Sequence, residues 1–176
     1  MARARTKEPD RRTFLGGTDA PAVLGVSPWM TAVDLWRLKT GRVKPEPDPE
    51  RDRRLERGKR LEPFICEMVV DKLRDQGHEV KVLARNERYT HPKYPFLKCE
   101  IDLELEVDGE HVTSDAKSVG GQARHRWGQE GSEDIPIDYA AQFMDGLMIT
   151  GRQRCLAAAL RSFDDVDIFW LTRDEQ

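Results

Sequence analysis

The sequence has no long apolar run and few cysteines. No segment of its 176 residues approaches the roughly 18 consecutive apolar residues that a membrane helix requires, so we expect no membrane span. Its three cysteines, Cys66, Cys99 and Cys155, lie far apart, and none forms a CxxC pair. Scattered thiols of odd number do not suit a disulfide framework or a zinc site, and they are typical of a reducing compartment. We therefore expect a cytoplasmic protein.

Several familiar motifs are also missing. The sequence contains no Walker loop, GxGxxG, HExxH or GxSxG, which are the usual signals for nucleotide binding, zinc proteolysis and serine hydrolysis. The basic start, MARARTKEPDRR, has no apolar segment after it, so we expect no secretory signal. The length suits one domain with a real core, and we predict a basic N-terminal arm over 1–12 followed by a single domain over 13–176.

Charge is abundant in the sequence and unevenly distributed. The net charge of −3 by itself argues against a nucleic-acid-binding protein. Residues 1–12, however, carry a net +3 and residues 51–60 a net +4, so the remainder carries −10. A metal-dependent nuclease would show this division, because its acids hold cations while separate basic patches hold phosphates. A soluble protein with a mixed-charge surface is an equally common source of such a pattern.

Residues 98–119, KCEIDLELEVDGEHVTSDAKSV, predict a β-hairpin. Asp108-Gly109 is a dipeptide favoured in two-residue type I′ turns, because both positions need a positive φ. Side chains alternate along the first strand, so its apolar residues are expected on one face: Cys99, Ile101, Leu103, Leu105 and Val107. The acids are expected on the other face: Glu100, Asp102, Glu104 and Glu106.

A turn of only two residues would place Asp102 opposite Asp115, and Glu100 opposite Lys117. Opposed Cβ atoms in such a pair lie about 4.5–5.5 Å apart, where like charges destabilise the sheet. The two aspartates therefore need a partner, and a hard divalent cation suits them. Alternating acids are also typical of a solvated outer face, and a bulge would break the register. The hairpin alone does not decide between these interpretations.

Helices are predicted on both sides of the hairpin. A Gly-Gly turn followed by a Thr-Asp cap begins a helix within 13–25, and Thr31 caps another that runs through Thr40. The apolar repeat over 61–73 predicts a long helix, with a kink or fresh start near Glu62 because Pro63 interrupts it. Residues 51–60 form a basic helix or arm before it, and a further helix is predicted from 136 to 150.

The remaining segments predict strands and loops. Strands are expected over 78–86, 154–161 and 166–172, with a turn-rich approach to the hairpin over 89–97. The glycine-rich segment 120–134 predicts either a mobile loop whose Arg124 and Arg126 could grip a DNA backbone, or a plain surface loop. This order of elements predicts an α/β (α+β) fold, a sheet with helices packed on it.

Five sequence blocks in a fixed order carry a family resemblance. They are RRTFLGGTDAPAVLGVSPW, DLWRLKTG, GKRLEP, HPKYPFL, and a D…DAK pair before a Gln-bearing helix that ends in ITG. Together they resemble the YqaJ-like viral recombinases, relatives of the lambda-type phage exonucleases in the PD-(D/E)XK nuclease superfamily. The likeness covers most of the chain, from about Arg11 to Gly151.

The resemblance implies a mixed central β-sheet flanked by helices and a Mg²⁺-dependent DNA exonuclease, with Mn²⁺ able to substitute. Such enzymes usually digest linear duplex ends from 5′ to 3′ in phage recombination. Their partners are double-stranded DNA ends and a single-strand annealing protein, and the resemblance implies a homo-oligomer, a ring trimer. If the chain is phage-encoded, its location is the bacterial host cytoplasm.

The resemblance also implies roles for particular residues. Asp102 matches the PD aspartate, Asp115 and Lys117 match the (D/E)xK pair, Glu62 matches the helix glutamate, and Gln142 matches a glutamine of the late helix. These five are the predicted catalytic residues, with metal held by Asp102, Asp115 and Glu62.

The family's 5′-phosphate ligands, an arginine and a serine, match Arg11 and Thr18, with Arg12 as a near competitor. The chain also departs from the motif, because Ile101 and Leu103 replace the proline and glycine that flank the PD aspartate. In the late helix, residues 144–146 replace polar residues common in the family.

The chemistry of these residues fits a nuclease. One or two Mg²⁺ ions between Asp102 and Asp115 would polarise the phosphate and orient a water molecule, with Glu62 completing the shell. Lys117 would position or deprotonate that water and offset the transition-state charge. Two alternatives remain, a PD-(D/E)XK endonuclease and a non-catalytic DNA-binding or inhibitory protein on the same scaffold.

Overall fold

A computed structural model of the protein describes residues 10–162 and 164–174. Its helices are α1 (Ala20–Val23), α2 (Ala32–Lys39), α3 (Pro49–Asp75) and α4 (Ile137–Thr150). Its strands are β1 (Leu15–Gly16), β2 (Val80–Thr90), β3 (Leu97–Val107), β4 (Glu110–Ser118), β5 (Arg154–Leu160) and β6 (Asp167–Thr172). The segments Arg11–Thr13, Gly17–Asp19 and Gly121–Arg126 form short 3-10 helices.

The strands form one mixed sheet in the order β1-β3-β4-β5-β6, with β2 also paired to β3. The pairs β1–β3 and β4–β5 are parallel, whereas β2–β3, β3–β4 and β5–β6 are antiparallel. The connection between the parallel strands β4 and β5 contains α4, as a parallel crossover requires. The predicted fold class, a mixed central sheet flanked by helices, is confirmed.

The two long helices cover opposite faces of this sheet. Buried residues of α3, such as Val69, pack with Leu156 of β5, whereas Leu147 of α4 packs with Ala157 of the same strand. Successive side chains of a strand point to opposite faces, so α3 and α4 lie on different sides. Five consecutive residues of β5 are buried, which is expected for a strand covered on both faces.

The predicted hairpin turn is confirmed. Asp108 and Gly109 both have a positive φ, 51° and 86°, and β3 pairs with β4 in the predicted register from Val107↔Glu110 to Leu103↔Ser114. The regular pairing ends there, one position before the two aspartates.

The predicted pairing of Glu100 with Lys117 is wrong. Glu100 lies opposite Arg88 of β2, and Lys117 lies opposite Ala159 of β5. Beyond the last β3–β4 pair the two strands separate, and β1 pairs with the first residues of β3. Because β2 occupies the other edge of β3 there, β1 takes the edge that β4 has left.

The prediction that the odd-numbered residues of β3 share one face is also wrong. Cys99 and Ile101 pack against Ile149 of α4, whereas the later odd residues join the core under α3: Leu103, Leu105 and Val107. Opposite Asp102, the β2 residue Asn86 has a φ of 52°. A left-handed residue disturbs the regular pleat, and the strand changes its inward face at this position.

The other boundary differences have simple causes. α3 runs through Pro63 without a break, so the predicted fresh helix start is wrong, and the basic segment 51–60 belongs to the same helix. Pro63 is exposed, so water can reach the carbonyl left without an amide partner. β2 continues to Thr90 because its pairing with β3 overrides the turn signal expected from 89 onwards.

The predicted division into an arm over 1–12 and one domain stays a prediction, because residues 1–9 lie outside the described residues. Within the described ranges, no helix is both long and apolar enough to cross a membrane.

Candidate metal and phosphate site

A cleft of about 460 Å³ lies where the N-terminal segment meets α3, α4 and the diverging ends of β3 and β4. It is lined by six of the residues that the sequence predicts for the site: Arg11, Thr18, Glu62, Asp102, Asp115 and Gln142. They come from six different elements or connections, and the fold brings them together.

The two aspartates lie at the point where β3 and β4 part. The amide of Ala116 donates a 2.9 Å hydrogen bond to Oδ2 of Asp102, and the amide of Asp102 lies 3.4 Å from Oδ1 of Asp115. The carboxylates therefore take the place of the backbone bonds that the strands no longer make. One oxygen of each aspartate remains for another partner.

The electrostatics of this pair favour a cation. Asp115 is only 6% exposed, and burial, followed by the charge of Asp115, raises the pKa of Asp102 above its ordinary value. Neighbouring like charges that are buried are costly unless a counter-charge lies close to both. Hard carboxylate oxygens are the ligands that Mg²⁺ and Mn²⁺ prefer, so the donor set fits a divalent ion.

Lys117 lies beside the pair on the same face of β4 as Asp115. Its Nζ is 4.0 Å from Oδ2 of Asp115, and it lies over the rings of Tyr139 and Phe143, with 5.6 Å and 5.3 Å to the centroids. The aromatic faces stabilise the ammonium group without using its N–H donors. The donors remain for a water molecule or a phosphate oxygen.

Glu62 is held at the cleft by a residue that the sequence analysis missed. Nδ2 of Asn86 donates a 2.7 Å hydrogen bond to Oε1 of Glu62, and Asn86 also lines the cleft. Within residues 10–162 and 164–174, no three His, Cys, Asp or Glu side chains come close enough to hold a metal ion together. Glu62 is therefore a third acid of the cleft that does not close a ligand set with the aspartates.

Gln142 marks the contact between α4 and the N-terminal segment. A Cβ added to Gly17 would lie 3.3 Å from Cγ of Gln142, so glycine permits this close approach. One turn further along α4, burial and the charge of Asp19 raise the pKa of Asp145 to about 6. Its Oδ2 is buried and has no hydrogen-bond partner among the described residues.

The part of the cleft that the N-terminal segment forms, here called its phosphate end, has the character of an anion site. Nη2 of Arg11 donates a 2.8 Å hydrogen bond to Oγ1 of Thr18, and both side chains line the cleft. Arg12 instead pairs with Asp10 at 2.7 Å and does not line the cleft. Geometry therefore favours Arg11 over Arg12 as the predicted phosphate ligand.

Arg124 and Arg126 are not brought into the cleft. They belong to the 3-10 helix Gly121–Arg126, and Arg126 is hydrogen-bonded to Asp138 at the start of α4. The next residue, Trp127, is buried against Tyr139 and Phe169. This part of the segment is thus packed onto the domain and does not reach over the site.

Other cations lining the cleft were also missed by the sequence analysis: Lys59, Arg88 and Lys98. Lys59 precedes Glu62 by three residues on one helix, a spacing that places both on the same face. That signal could have found Lys59, whereas Arg88 and Lys98 depend on strand pairing between separate segments.

Comparison with known proteins assigns the family. A model of the YqaJ-like viral recombinase domain matches residues 8–153. The chain belongs to this family. The match confirms the resemblance drawn from the five sequence blocks, and it includes every residue of the cleft discussed above.

A curated relative is the uncharacterized protein YqaJ of Bacillus subtilis strain 168, which is 27% identical over 145 residues. The match covers 81% of this chain and 41% of that protein. The YqaJ-like chain thus spans less than half the length of this relative.

Two solved structures share the fold of the YqaJ-like chain. One is LHK-Exo in complex with dAMP, with a TM-score of 0.61 and 15% identity. The other is described as an alkaline exonuclease, LHK-Exo from Laribacter hongkongensis, with a TM-score of 0.60 and 14% identity. Each match covers 94% of this chain and 80% of the other.

Proposed function

We propose that this YqaJ-like domain is a metal-dependent DNA nuclease that digests linear duplex DNA from its ends, from 5′ to 3′, in phage-type recombination. The observation that carries the proposal is a single cleft lined by Asp102 and Asp115 as well as by Arg11 and Thr18, with Nζ of Lys117 4.0 Å from Oδ2 of Asp115. Family membership and the fold shared with an alkaline exonuclease support it.

Asp102 and Asp115 would hold the divalent ion, Mg²⁺ or Mn²⁺, through the oxygens that are not bonded to the backbone. A bound ion polarises the phosphate and lowers the pKa of a bound water molecule. Mg²⁺ commonly uses one or two carboxylates and completes its shell with water and substrate phosphate. Two aspartates are therefore a sufficient protein contribution, and Glu62 can act through water.

The protein's own groups have distinct tasks in this mechanism. Lys117 positions the attacking water and offsets the negative charge that develops on the phosphate. Glu62, held by Asn86, would accept hydrogen bonds from water bound to the ion. Gln142 lines the cleft on the α4 side, where its amide can orient the DNA strand.

The pair formed by Arg11 and Thr18 supports cleavage that begins at a DNA terminus. A guanidinium group and a hydroxyl group together suit a terminal phosphate, which carries more charge than a phosphodiester. A 5′-phosphate held there would set a fixed distance to the bond cleaved at the aspartates. An endonuclease needs no such end, so this arrangement favours the exonuclease over the endonuclease.

The proposal also includes an annealing protein as partner, a ring-shaped homo-oligomer, and action in the bacterial cytoplasm. Family membership supports these three points. Co-purification would test the partner, and light scattering would test the oligomer.

The direct experiment uses end-labelled linear duplex DNA with Mg²⁺ or Mn²⁺. We expect wild type to release nucleotides from linear DNA, to leave covalently closed circles intact, and to lose activity in EDTA. Lys117→Ala should be nearly inactive while still binding DNA. Equal activity of wild type and Lys117→Ala would contradict the proposed roles, and cleavage of closed circles would favour the endonuclease. Retention of DNA without any cleavage would favour a non-catalytic DNA-binding protein.

A further inference from the structure

Lys39, the last residue of α2, ties together the segment that carries Arg11 and Thr18. Its Nζ donates hydrogen bonds of 2.7 Å to the carbonyl oxygens of Arg11 and Phe14. A third hydrogen bond, of 2.6 Å, goes to Oδ2 of Asp19. An ammonium group has three N–H donors, so these acceptors use all of them. Lys39 therefore cannot hydrogen-bond a ligand itself without giving up one of these contacts.

The carboxylate of Asp19 also connects Lys39 to the glycine turn of the cleft, which is formed by Gly16 and Gly17. Oδ2 of Asp19 also accepts a 2.8 Å hydrogen bond from the amide of Gly16, which lines the cleft. The side chains of Lys39 and Asp19 are only 16% and 12% exposed, so water screens their attraction less than at the surface. Lys39 and Asp19 together thus hold the backbone from Arg11 to Asp19, which carries both predicted phosphate ligands.

The Lys39–Asp19 ion pair also limits the repulsion between Asp19 and Asp145 of α4. Its pKa is raised first by burial and then by the charge of Asp19, so the two carboxylates interact. Lys39 offsets the charge of Asp19. Without Lys39, repulsion between the carboxylates would push the glycine turn away from α4.

We propose that Lys39 is a positioning residue for the phosphate end of the cleft, holding Arg11 and Thr18 where they meet the 5′-phosphate of a DNA end. The inference rests on the proposed function, because it assigns that phosphate as the ligand. Lys39 acts on the selectivity for phosphorylated ends and leaves the chemistry at the aspartates unchanged.

Lys72 offers a matched control. Its ammonium group also has three acceptors, Glu130 at 2.7 Å, Asp165 at 2.9 Å and the carbonyl of Val166 at 2.7 Å. Its side chain is 17% exposed, and neither Lys72 nor its acceptors line the cleft. Replacing it removes a comparable set of contacts outside the lining of the cleft.

We expect Lys39→Met to raise KM for 5′-phosphorylated duplex by about tenfold, the effect of a lost charged hydrogen bond. Its kcat, and its KM for 5′-hydroxyl ends, should stay within about twofold of wild type. Lys72→Met should keep the wild-type preference for phosphorylated ends. An equal loss on both kinds of end, an unchanged preference, or no preference in wild type would overturn the inference.

A double variant tests whether Lys39 acts through Arg11. Arg11→Ala combined with Lys39→Met should behave like Arg11→Ala alone, because residues of one network are not additive. Additive losses would overturn the positioning role. If Lys39→Met does not fold, Asp19→Asn replaces it. That variant leaves the ammonium group two carbonyl acceptors, and it should lose part of the preference, whereas an unchanged preference would count against the inference.

Inorganic phosphate separates this inference from the proposed nuclease activity. At constant ionic strength, phosphate should raise the Tm of wild type and Lys72→Met by binding the folded state. It should not raise the Tm of Lys39→Met, whether or not the protein cleaves DNA. No rise in wild type, or an equal rise in Lys39→Met, would overturn the role of Lys39.

Discussion

The two ends of the cleft are built in different ways. At the acidic end, Asp102 and Asp115 are neighbours across one hairpin, and backbone amides of that hairpin hold their carboxylates. At the phosphate end, Arg11 and Thr18 depend on Lys39, which is 28 residues away from Arg11 along the chain. One end is supported by local backbone geometry, and the other by a distant lysine side chain that holds two backbone carbonyls and one carboxylate.

This difference has a functional consequence. A pair held by strand backbone tolerates changes elsewhere, so the acidic end should lose most of its activity only when its own carboxylates or Lys117 are changed, and changes at supporting residues such as Asn86 should have smaller effects. The phosphate end should be sensitive to residues that never touch DNA. Substitutions at the acidic end are therefore expected to lower kcat, and those at the phosphate end to raise KM.

The largest effect is expected for Asp115→Asn. Removing one of two carboxylates weakens cation binding, and we expect kcat to fall by about 10³-fold, which corresponds to about 4 kcal/mol in the barrier. DNA binding in EDTA should not fall, because a negative charge has been removed. Asp71→Asn, at a side chain 76% exposed on α3, should match wild type. Loss of DNA binding in parallel with kcat would contradict the comparison.

Arg11→Ala should weaken phosphate binding at the phosphate end of the cleft. We expect KM for 5′-phosphorylated ends to rise by about 10- to 100-fold, because a charged hydrogen bond to phosphate is lost. Steady-state kinetics should show kcat nearly unchanged. Arg12→Ala is the control, since Arg12 pairs with Asp10, and a larger effect from Arg12 would reverse the assignment.

A smaller effect is expected at Asn86, which links β2 to Glu62. Asn86→Gly keeps a residue that accepts a φ of 52° and removes only the 2.7 Å hydrogen bond to Glu62. We expect the Mg²⁺ concentration for half-maximal activity to rise by about three- to tenfold. An unchanged Mg²⁺ dependence would mean that Glu62 does not act at the metal.

The smallest effect concerns the stability of the protein at Asp145, where α4 meets the N-terminal segment. Burial raises the pKa of Asp145 from 3.8 to about 6, so the ionised form is disfavoured in the folded state. Above that pKa the wild type carries the full penalty, which disappears as the pH falls towards 3.8. A shift of this size corresponds to about 3 kcal/mol, but an Asn side chain would still bury a polar group without a partner in the described part of the chain. Asp145→Asn should therefore raise the free energy of unfolding by about 1 kcal/mol at pH 8, and the gain should vanish near pH 4. Urea unfolding at both values measures it, and a destabilised variant at pH 8 would contradict the account.

The contrast between the two ends also explains what could be predicted from the sequence. Asp108-Gly109 specifies its own turn, and the register counted from that turn brings Asp102 next to Asp115, although the regular pairing ends one position earlier. The change of face within β3 could not be foreseen, because it coincides with the left-handed Asn86 on a neighbouring strand.

The supporting residues Lys39 and Asn86 could not be predicted from the sequence for the same reason. The contact of Lys39 with Asp19 and that of Asn86 with Glu62 join segments 20 and 24 residues apart. No periodicity or local motif encodes such a pair. The continuity of α3 through Pro63 likewise depends on the exposure of that turn, which the sequence pattern does not reveal.

The measurement that tests the central claim most directly is Mn²⁺ binding, followed by electron paramagnetic resonance of the free ion. We predict binding by wild type and a loss of affinity of at least about tenfold in both Asp102→Asn and Asp115→Asn. Glu100→Gln, at an acid of the same cleft that pairs with Arg88 at 3.0 Å, should bind like wild type. Equal Mn²⁺ affinity in wild type and the two aspartate variants would contradict a shared cation.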